Sequence, residues 1–394
     1  MTETFGEALR RSRKLAGLSQ PALAARIHFS QSMLSKVETG AESASYDFAK
    51  ACDAALNADG KLLKLAAAAA RAASVTGEEL EAWEIADALT HSSVSPTALD
   101  MMERAVTGYA TCYPSTPPEV LLVPVRQQLR RLRHALTQPQ TLQVRGRTVR
   151  LVGVLSGIAG NLWLDVDRAD QAVTFFELGR LAGSEAEDGD LTAWVLATHS
   201  IAPFFAGRPA EAAELLDEAN ELARRSCGSR RRAWIASLRA RAYGAAGNRA
   251  VALSCLDSAR EAIATATEPP HGTDFFDGPR LDGIAGSTFL LLHATEQARQ
   301  LLTQALDRRS ATDAKGRALI TLDLAAARVV DAEPEEAARL AGQALDLARG
   351  AVVRPIVARA LAVRAGMQPW EGTTAVARLD AQLGEIAYHP DPEE

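Results

Sequence analysis

The stretch FSQSMLSKVETG, residues 29–40, gathers hydrogen-bonding side chains at helical spacing. Leu34 and Val37 mark an inward side, which leaves Gln31, Ser32, Ser35 and Lys36 facing out. An amide carries a donor and an acceptor together and suits adenine N6/N7, hydroxyls serve several base edges, and a lysine serves a base or a phosphate. The stretch is therefore either an ordinary surface helix or one shaped to enter a DNA groove. The formal net charge of −6 argues against DNA only until its distribution is read. Residues 1–71 hold ten Lys/Arg against seven Asp/Glu, whereas the rest holds 33 against 42. A phosphate backbone responds to the local surface, so an acidic remainder does not exclude it.

The surrounding elements decide how that stretch is presented. Residues 5–16 read as an amphipathic helix, with Phe5, Ala8, Leu9, Leu15 and Ala16 opposite Arg10, Arg11, Arg13 and Lys14, and Gly17 ends it. Ser19 is a good N-cap for a second helix over 20–27, and Pro21 falls in its first turn, where the missing N–H costs little. That helix buries Leu23, Ala24 and Ile27. His28, Phe29 and Ser30 make a short connection, and Ser30 caps a third helix over 31–38. Two short helices, a three-residue turn and a small residue at the crossing make a helix-turn-helix. Two more helices follow over 46–56 and 60–73, and the Ala-rich run KLLKLAAAAARAAS closes the domain.

LSQPALAARIHFSQSMLSKVETG resembles the Xre-type helix-turn-helix of phage repressors and many bacterial regulators. The pattern is met at Leu18, Ser19, Gln20, Leu23, Ala24, Ser30, Leu34, Ser35, Val37, Glu38 and Gly40, within roughly residues 5–65. It departs at His28, where the family usually has Gly, and at Ala44, where it usually has Pro. The resemblance implies a lambda-repressor-like five-helix domain whose third helix lies in the major groove. It implies that Gln31 and Ser32 reach base edges and that Lys36 reaches a base or the next phosphate. Ser35 joins the DNA-facing set, and Gln20 holds a phosphate.

A chain of 394 residues suggests two or three domains or a repeat array. Apolar residues make up 47%, mostly Ala, Leu and Val, with no long alternating β-branched run, which points to closely packed helices. Aligning on an Ala just after a turn gives Ala172, Ala212, Ala252, Ala298 and Ala337. Four residues after each anchor stand Phe176, Leu216, Leu256, Leu302 and Ala341. Twelve residues before each stand Gly160, Ser200, Ala240, Gly286 and Ala325, all small. These offsets resemble the tetratricopeptide repeat, with a period longer than its usual ~34 residues. The resemblance implies an α-solenoid in which the first helix of each pair lines a concave groove. Its geometry implies a lining of Asn161, Trp194, Ile201, Phe204, Phe205, Trp234, Arg241, Arg280 and Ser287. Of these, Asn161, Trp194, Phe204, Trp234, Arg241 and Arg280 are the candidate ligand-binding residues.

The expected organisation is a DNA-binding domain over 1–73, connecting and divergent capping hairpins over 74–150, and a repeat sensor and dimerisation domain over 151–394. Two stretches stay ambiguous. Residues 126–150 hold seven arginines and no acid, which suits DNA flanks, the acidic remainder of the chain or a solvated face. EPPHGTDFFDGP, residues 268–279, carries Phe275 and Phe276 on a Pro/Gly-rich loop, either a lid, a dimer contact or ordinary packing.

No phosphate-cradling Gly loop, HExxH, GxSxG or CxxC occurs, so no enzyme is expected. DVDRAD, residues 165–170, starts like a calcium loop but lacks the Gly at its turn and the closing Glu. Neither a catalytic residue, a metal nor a cofactor is expected. Cys52, Cys112, Cys227 and Cys255 read as reduced thiols, and no 18-residue apolar stretch or N-terminal apolar segment occurs.

The expectation is thus an all-α, cytoplasmic and nucleoid-associated transcriptional regulator. Its partners would be a double-stranded DNA operator, a peptide or small-molecule effector and a second copy in a homodimer, with no membrane. The alternative is an interaction protein whose repeats grip a partner protein while the DNA-binding domain localises it.

Overall fold

The computed structural model describes residues 4–66, 95–138, 140–267, 269–349 and 353–387. The chain forms two compact units, Met1–Ala86 and Asp87–Glu394. Among the described residues all regular structure is helical, and no strand forms.

In the first unit each helix starts where a side chain satisfies its free backbone donors. Thr4 accepts from the Glu7 N–H while Glu7 reaches back to the Thr4 N–H at 2.9 Å, a capping box that opens α1 (Phe5–Leu15). Ser19, Ser30 and Ser45 cap α2 (Gln20–Ile27), α3 (Gln31–Glu38) and α4 (Tyr46–Ala55) more simply, each hydroxyl accepting from the N–H three residues on. His28 ends α2 in the left-handed region at φ 58°, so the turn keeps the geometry a glycine would give it, at the strain of a side chain there. Phe5, Leu9, Leu23, Leu34, Val37 and Phe48 share one core, with Ala24 buried at the crossing. The Asp53 carboxylate accepts from the N–H groups of Gly60 and Leu62 and fastens a helical segment, residues 61–66, to α4. The expected continuation of that segment to residue 73, with the end of the Ala-rich run, lies outside the described residues.

In the second unit α5 (Pro96–Cys112) and α6 (Pro118–Leu136) both pack on α7 (Leu142–Asp165). Five helical hairpins follow, each matching one aligned anchor. They are α7 with α8 (Ala169–Glu185), α9 (Gly189–His199) and α10 (Ile201–Phe205) with α11 (Pro209–Ser226), α12 (Ser229–Ala245) with α13 (Arg249–Ala264), α14 (Gly278–Leu291) with α15 (Thr295–Arg308), and α16 (Ala314–Val330) with α17 (Pro334–Ala348). α18 (Arg354–Gly366) and α19 (Thr374–Ala387) complete the array. α7 runs through residue 150, so the first repeat begins at Leu142, ahead of the boundary expected from sequence.

The repeat pattern has a direct packing cause. All five anchor alanines are fully buried, as are the small residues before them and the larger ones after. A Cβ on Gly160 would stand 2.5 Å from the Phe176 ring, and one on Gly286 would stand 2.6 Å from Leu302 Cγ. The small residue of the first helix is thus the seat of the large residue of the second. Pro203 cannot donate to the turn before it, and the first helix of the second pair breaks at Ser200 into α9 and α10.

The array also makes contacts that no neighbouring pair of repeats requires. Lys315, at the start of α16, places Nζ 2.6 Å from both oxygens of Asp165 at the end of α7 and 2.5 Å from the Tyr113 hydroxyl. Arg354 pairs with Asp167 at 3.1 Å. Late repeats are thereby clasped to the first.

Candidate functional site

The outward face of α3 is held rigidly from behind. Glu38, at its last turn, is buried and accepts from Arg13 Nε at 2.5 Å and Arg13 Nη2 at 2.8 Å. Gln20 Nε2 donates to the same carboxylate at 2.9 Å, and Arg13 Nη1 donates to the Leu18 carbonyl at 2.8 Å. One carboxylate therefore ties α1, the start of α2 and the end of α3. Burial alone would raise the Glu38 pKa, but the hydrogen bonds from Arg13 and Gln20 and the charge of Arg13 outweigh it and hold the carboxyl below its usual range. The Glu38 hydrogen bond raises Arg13 in turn.

In front, Gln31, Ser32 and Lys36 are exposed and Ser35 is half-buried, all on α3. Lys36 has a loose exposed pair with Glu42 at 3.5 Å, an interaction of little energy in water. Gln20 is half-buried with its amide nitrogen committed to Glu38, so its carbonyl oxygen and the helix start are what it presents outward.

In the second unit a cavity of about 420 Å³ opens on the first helices of the pairs. Asn161 from α7, Trp194 from α9, Trp234 and Arg241 from α12, and Arg280 from α14 all line it, with Ile201 and Phe205 of α10. Phe204 does not line it. Its ring lies under the guanidinium of Arg241, 4.4 Å from the centroid, so it supports a lining residue instead. Ser287 is buried. The aromatic walls are seated by close backbone approach, since a Cβ on Gly157 of α7 would collide with the Trp194 ring.

The loop between α13 and α14 crosses this groove. Its tip is a tight turn in which His271 and Asp274 exchange backbone hydrogen bonds of 2.8 and 3.2 Å. Arg231 Nη1 donates to the Thr273 carbonyl at 2.6 Å, and Arg230 donates to the Phe276 carbonyl. Phe275 stands edge-on to Trp234, centroids 5.6 Å apart, and the Arg280 guanidinium covers it at 5.5 Å. Gly272 reaches Thr107 of α5, where a Cβ would come within 3.7 Å of Thr107 Cγ2. His271, Gly272 and Thr273 also line a second cavity of about 470 Å³ walled by Glu103, Arg147, Arg150 and Asp190, so the loop is a partition between two chambers.

The cations of the first cavity are not equivalent. Lys315 is neutralised by Asp165, Arg280 by Asp277 at 2.5 Å, and Arg309 by Asp313 at 2.8 Å. Arg241 makes no hydrogen bond or ion pair with any described residue, and its Nε is fully buried. Burial, joined by the like charge of Arg359, pulls its pKa down to about 10, against the opposing attraction of Asp323. It remains a guanidinium at neutral pH. Asp323 is itself occupied by Arg359 at 3.1 Å.

Residues 4–66 match the family described as "Helix-turn-helix domain". The first unit carries a helix-turn-helix domain. The matched family spans only this part of the chain, and none of the curated proteins matches. Among solved structures, PlcR of Bacillus thuringiensis in complex with the peptide PapR7 and DNA is similar at 15% identity with a TM-score of 0.35, covering 67% of this chain and 95% of that one.

Within the helix-turn-helix domain, sequence places Gln31, Ser32, Ser35 and Lys36 on one helix and misses that Gln20 is shared with a buried carboxylate. In the repeat array it places five of the six candidate ligand residues on one cavity. It misses Tyr113, Asp165, Phe275, Asp313 and Lys315, which also line that cavity. Phe275 carried a signal in its position on a conspicuous loop, and Asp165 carried a misleading one as the first residue of the calcium-loop-like DVDRAD. Of the arginine-rich stretch, Arg147 pairs with Asp100 and Glu103, Arg150 pairs with Asp188, and Arg126 covers the Trp163 ring at 5.6 Å. The acids those arginines meet lie elsewhere in the chain. Among the described residues no helix is long and apolar enough to cross a membrane, and no group of His, Cys, Asp and Glu is placed to hold a metal.

Proposed function

We propose that this chain is a sequence-specific DNA-binding transcriptional regulator whose repeat domain takes an effector into its cavity and thereby changes DNA affinity. The observation that carries the reading is the α3 face. Gln31, Ser32 and Lys36 stand exposed on a helix whose position is locked from behind by the Glu38–Arg13–Gln20 cluster. Rigid presentation of an amide, a hydroxyl and a cation is what base-edge and phosphate contacts require. Gln31 and Ser32 reach base edges, Ser35 and Lys36 follow one turn later, and Gln20 sits at the backbone. A single module of this size reads few base pairs, so two copies on paired half-sites supply useful specificity, and the repeats supply the dimer contact. Asn161, Trp194, Trp234, Arg241 and Arg280 contact the effector, and Phe204 positions Arg241.

The test is selection of DNA from a library of random duplexes by the purified full-length chain. A defined half-site, arranged as a pair, is the expected product. A folded Gln31→Ala/Ser32→Ala variant should lose it. Enrichment of the same sequences by that variant, or of no sequence by wild type, would overturn the assignment.

A further inference from the structure

The chemistry of the cavity narrows what it accepts, and this rests on reading the cavity as the effector site. We propose that the ligand is a compact amphipathic acid, its carboxylate paired with Arg241 and its apolar body against Trp194, Trp234 and Leu238. An extended chain running along the groove is disfavoured.

Three observations converge on that ligand. First, Arg241 is the one lining Lys or Arg without a carboxylate among the described residues, because Lys315, Arg280 and Arg309 are already neutralised from within the fold. A half-buried guanidinium whose Nε is cut off from water and from any partner is unfavourable, and a carboxylate or similar oxyanion satisfies such a group through two parallel hydrogen bonds. Phe204 beneath and Asp323 bound by Arg359 keep Arg241 from finding an internal partner. Second, the rest of the lining near it is apolar and aromatic, from Ile201, Phe205, Trp234, Leu238 and Trp194. A small hydrophilic anion such as phosphate would leave that surface without a partner. Third, the chamber has walls that a passing chain would meet. The loop carrying His271, Gly272 and Thr273 walls it on one side, and the clasp of Lys315 on Asp165 and Tyr113 lines the same chamber. A cavity of about 420 Å³ fits the range in which pockets enclose most of a drug-sized molecule, roughly 300–1,000 Å³. A polypeptide passing through would have to displace the loop and the hydrogen bonds of Arg230 and Arg231 that hold it.

Calorimetry on the full-length chain without DNA tests this with 1-naphthaleneacetate and its neutral counterpart 1-naphthaleneacetamide. Wild type should bind the acid at least about tenfold more tightly than the amide. In Arg241→Met that ratio should fall to near one, mainly through loss of acid affinity, and Arg241→Lys, which keeps the charge without the fork, should be intermediate. Amide binding by Arg241→Met also reports that its cavity is intact. Should that variant not fold, the Arg241→Lys ratio and the wild-type pair decide the matter. Hydrogen exchange at residues 269–277 should slow or stay unchanged when the acid binds. Equal affinities in wild type, a preserved preference in Arg241→Met, no binding of the acid at millimolar concentration, or faster exchange in the loop on binding would each overturn the proposal. Binding of the acid that leaves DNA affinity unmoved would instead refute the regulatory reading and leave this one standing.

Discussion

Glu38 is the place where the helix-turn-helix domain is most exposed to a single change. Glu38→Ala removes the acceptor of three charge-assisted hydrogen bonds, two from Arg13 and one from Gln20. Arg13 is only 8% exposed and would keep just the Leu18 carbonyl, so the variant leaves a buried cation nearly unpaired. Breaking such a pair from one side costs about 3–5 kcal/mol. Because the lesion is confined to α1–α3, the readout should be local: hydrogen exchange of residues 5–38 in the full-length chain. At roughly 1.4 kcal/mol per decade, amides that exchange through opening of this unit should do so about a hundred- to several-thousand-fold faster, while α7–α17 stay as in wild type. Arg13→Met/Glu38→Met, which removes both charges and keeps volume, should recover most of the protection, since an apolar replacement of a buried pair is commonly close to neutral. The same carboxylate sets a pH limit. Its folded pKa lies below the ordinary value, so it contributes stability that is present above about pH 4.3 and is lost as pH falls through the folded value. Wild-type protection in α1–α3 should therefore fall on acidification below about pH 4, and the double-Met variant should lack that component. Exchange in Glu38→Ala within threefold of wild type, or no recovery in the double variant, would show that the Glu38–Arg13 pair does not hold α1–α3 together.

Other outcomes follow from single contacts. His28→Gly should relieve a left-handed side chain and raise the stability of the first unit by roughly 0.5–1 kcal/mol, read as slower exchange in α2 and α3, because the relief exceeds the added chain entropy. Gly160→Ala should cost about 1–3 kcal/mol by forcing the Phe176 ring from its seat, read as a lower thermal transition of the repeat array with the first unit unaffected. If Lys36 contacts phosphate, Lys36→Ala should weaken binding to all DNA sequences alike and reduce the salt slope of log K by about one, as measured by anisotropy titration at several salt concentrations.

How much of this was legible in sequence depends on the separation of the partners. The helix-turn-helix is local: Ser19 and Ser30 announce helix starts, Leu23, Leu34 and Val37 announce one face, and the turn needs only His28 to Ser30. The repeat pattern was legible because Gly160 and Phe176, or Gly286 and Leu302, meet across one hairpin at a fixed offset. The cavity was half legible. First-helix positions such as Trp194, Trp234 and Arg241 follow from the period, but Phe204 and Phe205 exchange roles where Pro203 interrupts the helix and resets its phase. The clasp between Lys315 and Asp165 joins residues 150 apart in sequence and depends on how far the array curls, which no local pattern encodes. The loop stood out by its prolines and glycines. Its course across the groove is set by Arg230, Arg231 and Trp234, none of which is adjacent to it in sequence.

In the proposed regulation, occupancy of the cavity changes the grip of α3 on DNA. The direct measurement is an anisotropy titration of the selected duplex with the full-length chain, with and without fractionated extract of the producing cells, in wild type and Arg241→Met. An effector acts only through its preference for one arrangement of the protein, and typical coupling of about 1–3 kcal/mol predicts that one fraction shifts wild-type DNA affinity by roughly 5- to 150-fold. Arg241→Met should bind the duplex as wild type does without extract and should not respond to that fraction. An unshifted wild type across all fractions, or a shift of equal size in Arg241→Met, would contradict the claim.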